Sequence, residues 1–104
     1  DALKFSLELE GFNVHTCRNG TELLAYQSLP KSDCIVLDYK MPGLDGLHVL
    51  NQLAERRVVV PVILITGPVT ENLRNQAIRA GARLVLEKPL LDGLLTDRIR
   101  ELVH

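Results

Sequence analysis

Four short apolar runs alternate with five amphipathic stretches along this chain, and no other feature constrains the fold as tightly. The runs fall at residues 12–17, 34–38, 61–67 and 82–87. Between them apolar residues recur at helical spacing, as with Leu44, Leu47, Leu50 and Leu53, or the narrower stripe of Leu73, Ala77 and Ala80. A near-continuous apolar run bounded by turn signals suits a strand covered on both faces, which is the situation in a parallel sheet. Consecutive parallel strands need a crossover, and a helix packed on the sheet supplies it. The alternation therefore predicts an α/β chain: a doubly wound parallel sheet with helices on both faces.

Local signals place the boundaries. The spacing predicts a first helix over 1–10 with Ala2, Phe5 and Leu9 on one face and Leu3 and Leu7 beside them, stopped at Gly11. Residues 12–17 alternate polar and apolar and predict a short strand near a sheet edge. Asn19 is placed to cap a second helix, Glu22 to reach back in a capping box, and Pro30 to end that helix after about Leu29. A third helix runs from Leu44 to the basic pair Arg56 and Arg57. Pro61 lacks a ladder donor, so the central strand starts at or after it. Helices over 70–80 and 91–103 follow, the latter with Asp92 as its cap.

Length and charge narrow the function. With 104 residues, 46% of them hydrophobic, the chain makes one domain with a real core. Twelve basic against 13 acidic residues leave a net charge of -1, which argues against direct nucleic-acid contact through charge. No apolar run has the length of a membrane span. Cys17 and Cys34 lie in apolar runs without metal-ligand or CxxC spacing, so they read as core residues of a chain in a reducing, cytoplasmic setting.

Ligands of open α/β sheets bind outside the carboxyl ends of the strands. Three strands here end on polar residues that a core does not need: Asp38, Thr66 and Lys88. None of His15, His48 and His104 falls on that edge, so a hydrolase triad is excluded, and no phosphate loop of the Walker spacing occurs. A carboxylate is a competent nucleophile toward phosphorus, giving an aspartyl phosphate. Lys88 would offset the added charge and Thr66 would donate a hydrogen bond to a phosphoryl oxygen, with a divalent cation sharing the charge.

The residues now form a recognisable set. Val36-Leu37-Asp38 with Met41-Pro42-Gly43 and Asp45-Gly46, then Ile63-Leu64-Ile65-Thr66-Gly67, Ala80-Gly81-Ala82 and Glu87-Lys88-Pro89, stand in order on matching elements. Together they resemble the receiver domain of bacterial two-component response regulators. The resemblance implies a flavodoxin-like sheet of strand order 2-1-3-4-5. It implies Asp38 as phosphoacceptor, and Thr66, Gly67 and Lys88 as the phosphoryl-binding and switch residues. It also implies a cis Lys88–Pro89 bond and Mg2+ held by Asp38 and the Lys40 carbonyl. A sensor histidine kinase is the implied partner, with an attached or separate output domain as the readout. A homodimer through the 70–87 face is a further implied contact.

Two departures from the family pattern shape the expectations. The chain opens inside what corresponds to the family's first helix, so residues 1–104 are expected to form a receiver-like domain that is incomplete at its N-terminus. It would lack the first, central strand and the acidic pair that ends it, and Mg2+ binding by this chain alone is expected to be weak. Val85 stands where receivers usually carry an aromatic switch residue, which leaves the switch to Thr66 and the 67–70 loop. Two other readings stand beside the phosphoacceptor. One is an atypical receiver acting as a phosphorylation-independent interaction module. The other is an aspartyl phosphatase, disfavoured by Lys40 in the position where such enzymes carry a second Asp, so the chain is read as no enzyme.

Overall fold

All five residues of the strand Val62–Thr66 are buried, and the rest of the fold is arranged about them. The computed structural model describes residues 2–91 and 93–103. Among these the strands are β1 (Ile35–Asp38), β2 (Val62–Thr66) and β3 (Leu84–Glu87). The helices are α1 (Ala2–Leu9), α2 (Gly20–Ala25), α3 (Gly46–Glu55), α4 (Glu71–Ala80) and α5 (Leu94–Val103). The sheet has the order β1-β2-β3 and both pairings are parallel. Asp38 lies opposite Ile65, and Thr66 opposite Glu87.

Strand alternation divides the core in two. Ile35, Leu37, Val62, Leu64 and Val85 pack with Val49, Leu50 and Leu53 of α3 and Ala77 of α4. Ile63 and Ile65 point the other way and pack with Leu7 of α1 and with Leu95 and Ile99 of α5. Successive residues of a strand face opposite sides, so an apolar run without alternation must be covered twice. This is the doubly wound arrangement that the sequence predicts.

The capping chemistry follows from residue type. Thr70 and Asp45 cap α4 and α3, accepting from the backbone N–H of Leu73 at 3.0 Å and of His48 at 2.9 Å. Gly81 ends α4 at φ 114°, a left-handed position that favours glycine. Asn19 caps α2 through the N–H of Glu22 at 2.8 Å, but the Glu22 carboxylate accepts from the Arg18 N–H at 3.3 Å, one residue earlier than the expected capping box.

Several expectations are corrected. Residues 12–17 form no strand, because no strand lies within the described residues to complete a ladder with them; Phe12 and Val14 still cover the α1/α5 side of the sheet. The strand order is accordingly the three-strand part of the expected five. Helix α2 ends at Ala25 rather than near Leu29, since Tyr26 is extended and its ring stacks on His15 with centroids 4.1 Å apart. Pro30 does not stop that helix; it sits in the first turn of a separate 3-10 helix, Leu29–Lys31, where its missing N–H costs nothing. In α1 the expected face is overturned: Ala2, Phe5 and Leu9 are exposed, and Leu7, from the residues beside them, is the one buried against the sheet. Asp92, expected to cap α5, lies outside the described residues.

Candidate functional site

Asp38 closes β1, Thr66 closes β2 and Lys88 directly follows β3. The ladder runs one residue past each outer strand's partner: the Tyr39 N–H donates to the Ile65 carbonyl and the Lys88 N–H to the Thr66 carbonyl, both at 2.8 Å. The three strand ends are thus held in one plane by backbone bonds alone. Across this rim the Lys88 Nζ donates to Asp38 Oδ2 at 2.8 Å. Both side chains are about half exposed, which leaves the pair open to a ligand from solvent. Thr66 ends the middle strand between them and is only 4% exposed. The Lys88–Pro89 bond is cis, as the resemblance implies.

The loop after Asp38 is set by a close approach. The Gly46 N–H donates to the Tyr39 carbonyl at 2.8 Å. A Cβ on Gly46 would lie 2.7 Å from Leu64 Cδ1, 2.9 Å from Tyr39 Cα and 3.2 Å from the Asp38 carbonyl oxygen. Only glycine lets the start of α3 sit this close to the end of β1. Between them Tyr39, Lys40, Met41, Pro42 and Asp45 line a shallow groove.

The loop after Thr66 is held differently. Its far end is fixed by the Thr70 cap, and its middle by the Val69 N–H, which donates to Glu87 Oε1 at 2.7 Å. Glu87 belongs to the Glu87-Lys88-Pro89 motif, and no role for it follows from the sequence. It is an acidic residue at a strand end, beside Lys88 and opposite Thr66, and nothing local points to Val69 as its partner. Val85, the position with an atypical residue, is 5% exposed and lies opposite Leu64 in the core.

The donor set for Mg2+ is sparse. Among the described residues no three of His, Cys, Asp and Glu gather to hold a metal ion. The Asp38 carboxylate, the one side-chain ligand named for it, is bonded to Lys88, and the Lys40 carbonyl is the second donor. These two do not make a site for a cation that is bound through carboxylates and oxygens of fixed octahedral geometry.

The outlying candidates separate cleanly from the rim. His15 stacks on Tyr26, and His48 lies on α3, lining a groove between α2 and α3. Cys34 and Cys17 are free thiols, and burial pushes both up, Cys34 to about 11 with the neighbouring Asp33 charge adding to the effect.

Comparison with known proteins places the fold. A model of the response regulator receiver domain family matches residues 1–100. The C4-dicarboxylate transport transcriptional regulatory protein DctD of Pseudomonas aeruginosa is 40% identical over 99 residues, covering 95% of this chain and 21% of DctD. The transcriptional regulatory protein FixJ of Bradyrhizobium diazoefficiens is 33% identical over 106 residues, covering 100% of this chain and 51% of FixJ. The chain therefore spans about half or less of these relatives. Among solved structures, the receiver domain of the Francisella response regulator 1452 superposes with a TM-score of 0.91 at 26% identity, covering 98% of this chain and 84% of that one. By its sequence and its parallel sheet, the chain belongs to the response regulator receiver domain family.

Proposed function

We propose that this chain is a phosphoacceptor receiver, phosphorylated on Asp38 by a sensor histidine kinase. The observation that carries the reading is the Lys88–Asp38 contact of 2.8 Å at the carboxyl ends of parallel strands. Lys88 occupies Oδ2, so Oδ1 is the attacking oxygen. It forms a bond to the phosphorus of a phosphohistidine while the P–N bond breaks, and the imidazole nitrogen keeps that electron pair. The product is an acyl phosphate with more negative charge on the rim than before. Lys88 then pairs with a phosphoryl oxygen, and the Thr66 hydroxyl turns to donate to another. That motion draws on the 67–70 loop and alters the α4 surface, where Glu71, Arg74 and Arg79 are exposed and Ile78 is 48% exposed. This face is the proposed contact for a second copy or for an output domain.

A phosphorylation-independent module would make no use of the Lys88–Asp38 pair, and the geometry favours the phosphoacceptor. The test is labelling of the protein with a radioactive acyl phosphate. The expected result is one acid-stable, base-labile label that disappears in Asp38→Ala; a label that survives that substitution removes the reading.

A further inference from the structure

Glu87 and Lys88 are chain neighbours at the end of β3, yet their side chains bind opposite flanks of Thr66. The Lys88 ammonium reaches the end of β1 at Asp38, and the Glu87 carboxylate reaches the β2–α4 loop at the Val69 N–H. The loop between Thr66 and Thr70 is anchored at both ends, by the bond from the Lys88 N–H to the Thr66 carbonyl and by the Thr70 cap on α4. The Val69–Glu87 bond, at 2.7 Å with a charged acceptor, ties the middle of the loop to β3.

We propose that Glu87 is a positioning residue that latches the 67–70 loop in its resting arrangement and so sets how much phosphoryl occupancy is needed to switch it. The proposal rests on the reading of Asp38 as phosphoacceptor and extends it to the control of the response. Any motion of the backbone after Thr66 that follows its hydroxyl toward a phosphoryl group is opposed by the bond from Val69 to the end of β3. Gly67 gives the chain room to move, since nothing lies within 4 Å of where its Cβ would be. The Glu87 side chain is exposed, so water can take over both halves of the bond once the loop leaves. A bond of this kind biases an equilibrium without locking it.

The test compares the wild-type protein with Glu87→Ala and Glu87→Gln, the latter keeping an acceptor oxygen. Without any phosphoryl donor, exchange of the Val69 amide hydrogen should be about tenfold faster in E87A and close to wild type in E87Q. With trifluoroberyllate as the phosphoryl mimic, the methyl resonances of Thr66 and Val69 should reach half response at about three- to tenfold lower concentration in E87A, with E87Q again near wild type. A loss of folding alone would slow or abolish the response rather than sensitise it. Unchanged Val69 exchange in E87A, or a response that needs as much or more of the mimic, overturns the latch while leaving the phosphoacceptor intact. A wild-type chain that gives no response at any concentration removes the phosphoacceptor reading and the latch with it.

Discussion

Lys88 Nζ meets Asp38 Oδ2 at 2.8 Å across the end of β2, a strand to which neither residue belongs. The contact spans the middle of the sheet and brings together residues 50 positions apart in sequence. Its strength as a fold-holding ion pair is small, because both partners are half exposed and screened by solvent. Its value lies in where it puts a cation.

Replacing that cation should therefore separate stability from chemistry. Lys88→Met is expected to change the unfolding free energy by less than about 1 kcal/mol in urea titrations. The same variant should accept label from an acyl phosphate about tenfold more slowly or worse, because the developing phosphoryl charge loses its counter-ion. Labelling at the wild-type rate would make Lys88 a bystander.

Thr66 allows a similar separation. The side chain is 4% exposed, so Thr66→Val keeps the buried shape but removes the hydroxyl. Labelling of Asp38 should stay within about threefold of wild type, since the hydroxyl acts after transfer, while the loop resonances should no longer shift on phosphorylation. Thr66→Ser should restore the shift. If the valine variant still shifts, the hydroxyl is not the switch.

Gly46 and Gly67 flank the same rim, and only Gly46 should resist an added methyl group. Gly46→Ala drives a Cβ into the backbone at Tyr39 and should destabilise by about 1–3 kcal/mol. Gly67→Ala meets open space and should stay within about 0.5 kcal/mol of wild type. Denaturation midpoints at equal slope decide the matter.

The Cys34 thiol offers a pH test of core burial. Its value near 11 arises first from desolvation, then from the Asp33 charge, with a backbone hydrogen bond at Ile35 opposing both. At pH 8 the native thiolate fraction should be about a hundredfold below that of free cysteine, and iodoacetamide should modify Cys34 correspondingly slowly until the protein is denatured. Because the folded value is raised, this thiol's contribution to stability is complete below the ordinary thiol range. It is lost as pH climbs through that range toward 11. Rapid native alkylation mapped to Cys34 by mass spectrometry would show that the residue is not covered.

Much of this protein is determined locally. The unbroken apolar run Val62–Thr66 demanded cover on two faces, and the helical stripes supplied it. Thr70, Asp45 and Gly81 cap their helices through atoms they carry themselves, so a reading of residue types finds them. The three rim residues were legible for a related reason: polar groups ending apolar strands have no place in a core, and a parallel sheet collects its strand ends at one edge.

Other features depend on partners distant in the chain. Residues 12–17 have a strand's composition, but a strand exists only where a neighbour completes its ladder. Helix α2 stops early because Tyr26 finds His15, and Leu7 rather than Phe5 is buried because of how α1 lies on Ile63 and Ile65. Glu87 carries no sign in its own segment that its acceptor oxygen is meant for Val69, 18 residues away. Propensity and periodicity act within a few residues. Which side chain meets which across the sheet is settled only when strands, helices and loops pack together, and there the latch and the exact reach of Lys88 are decided.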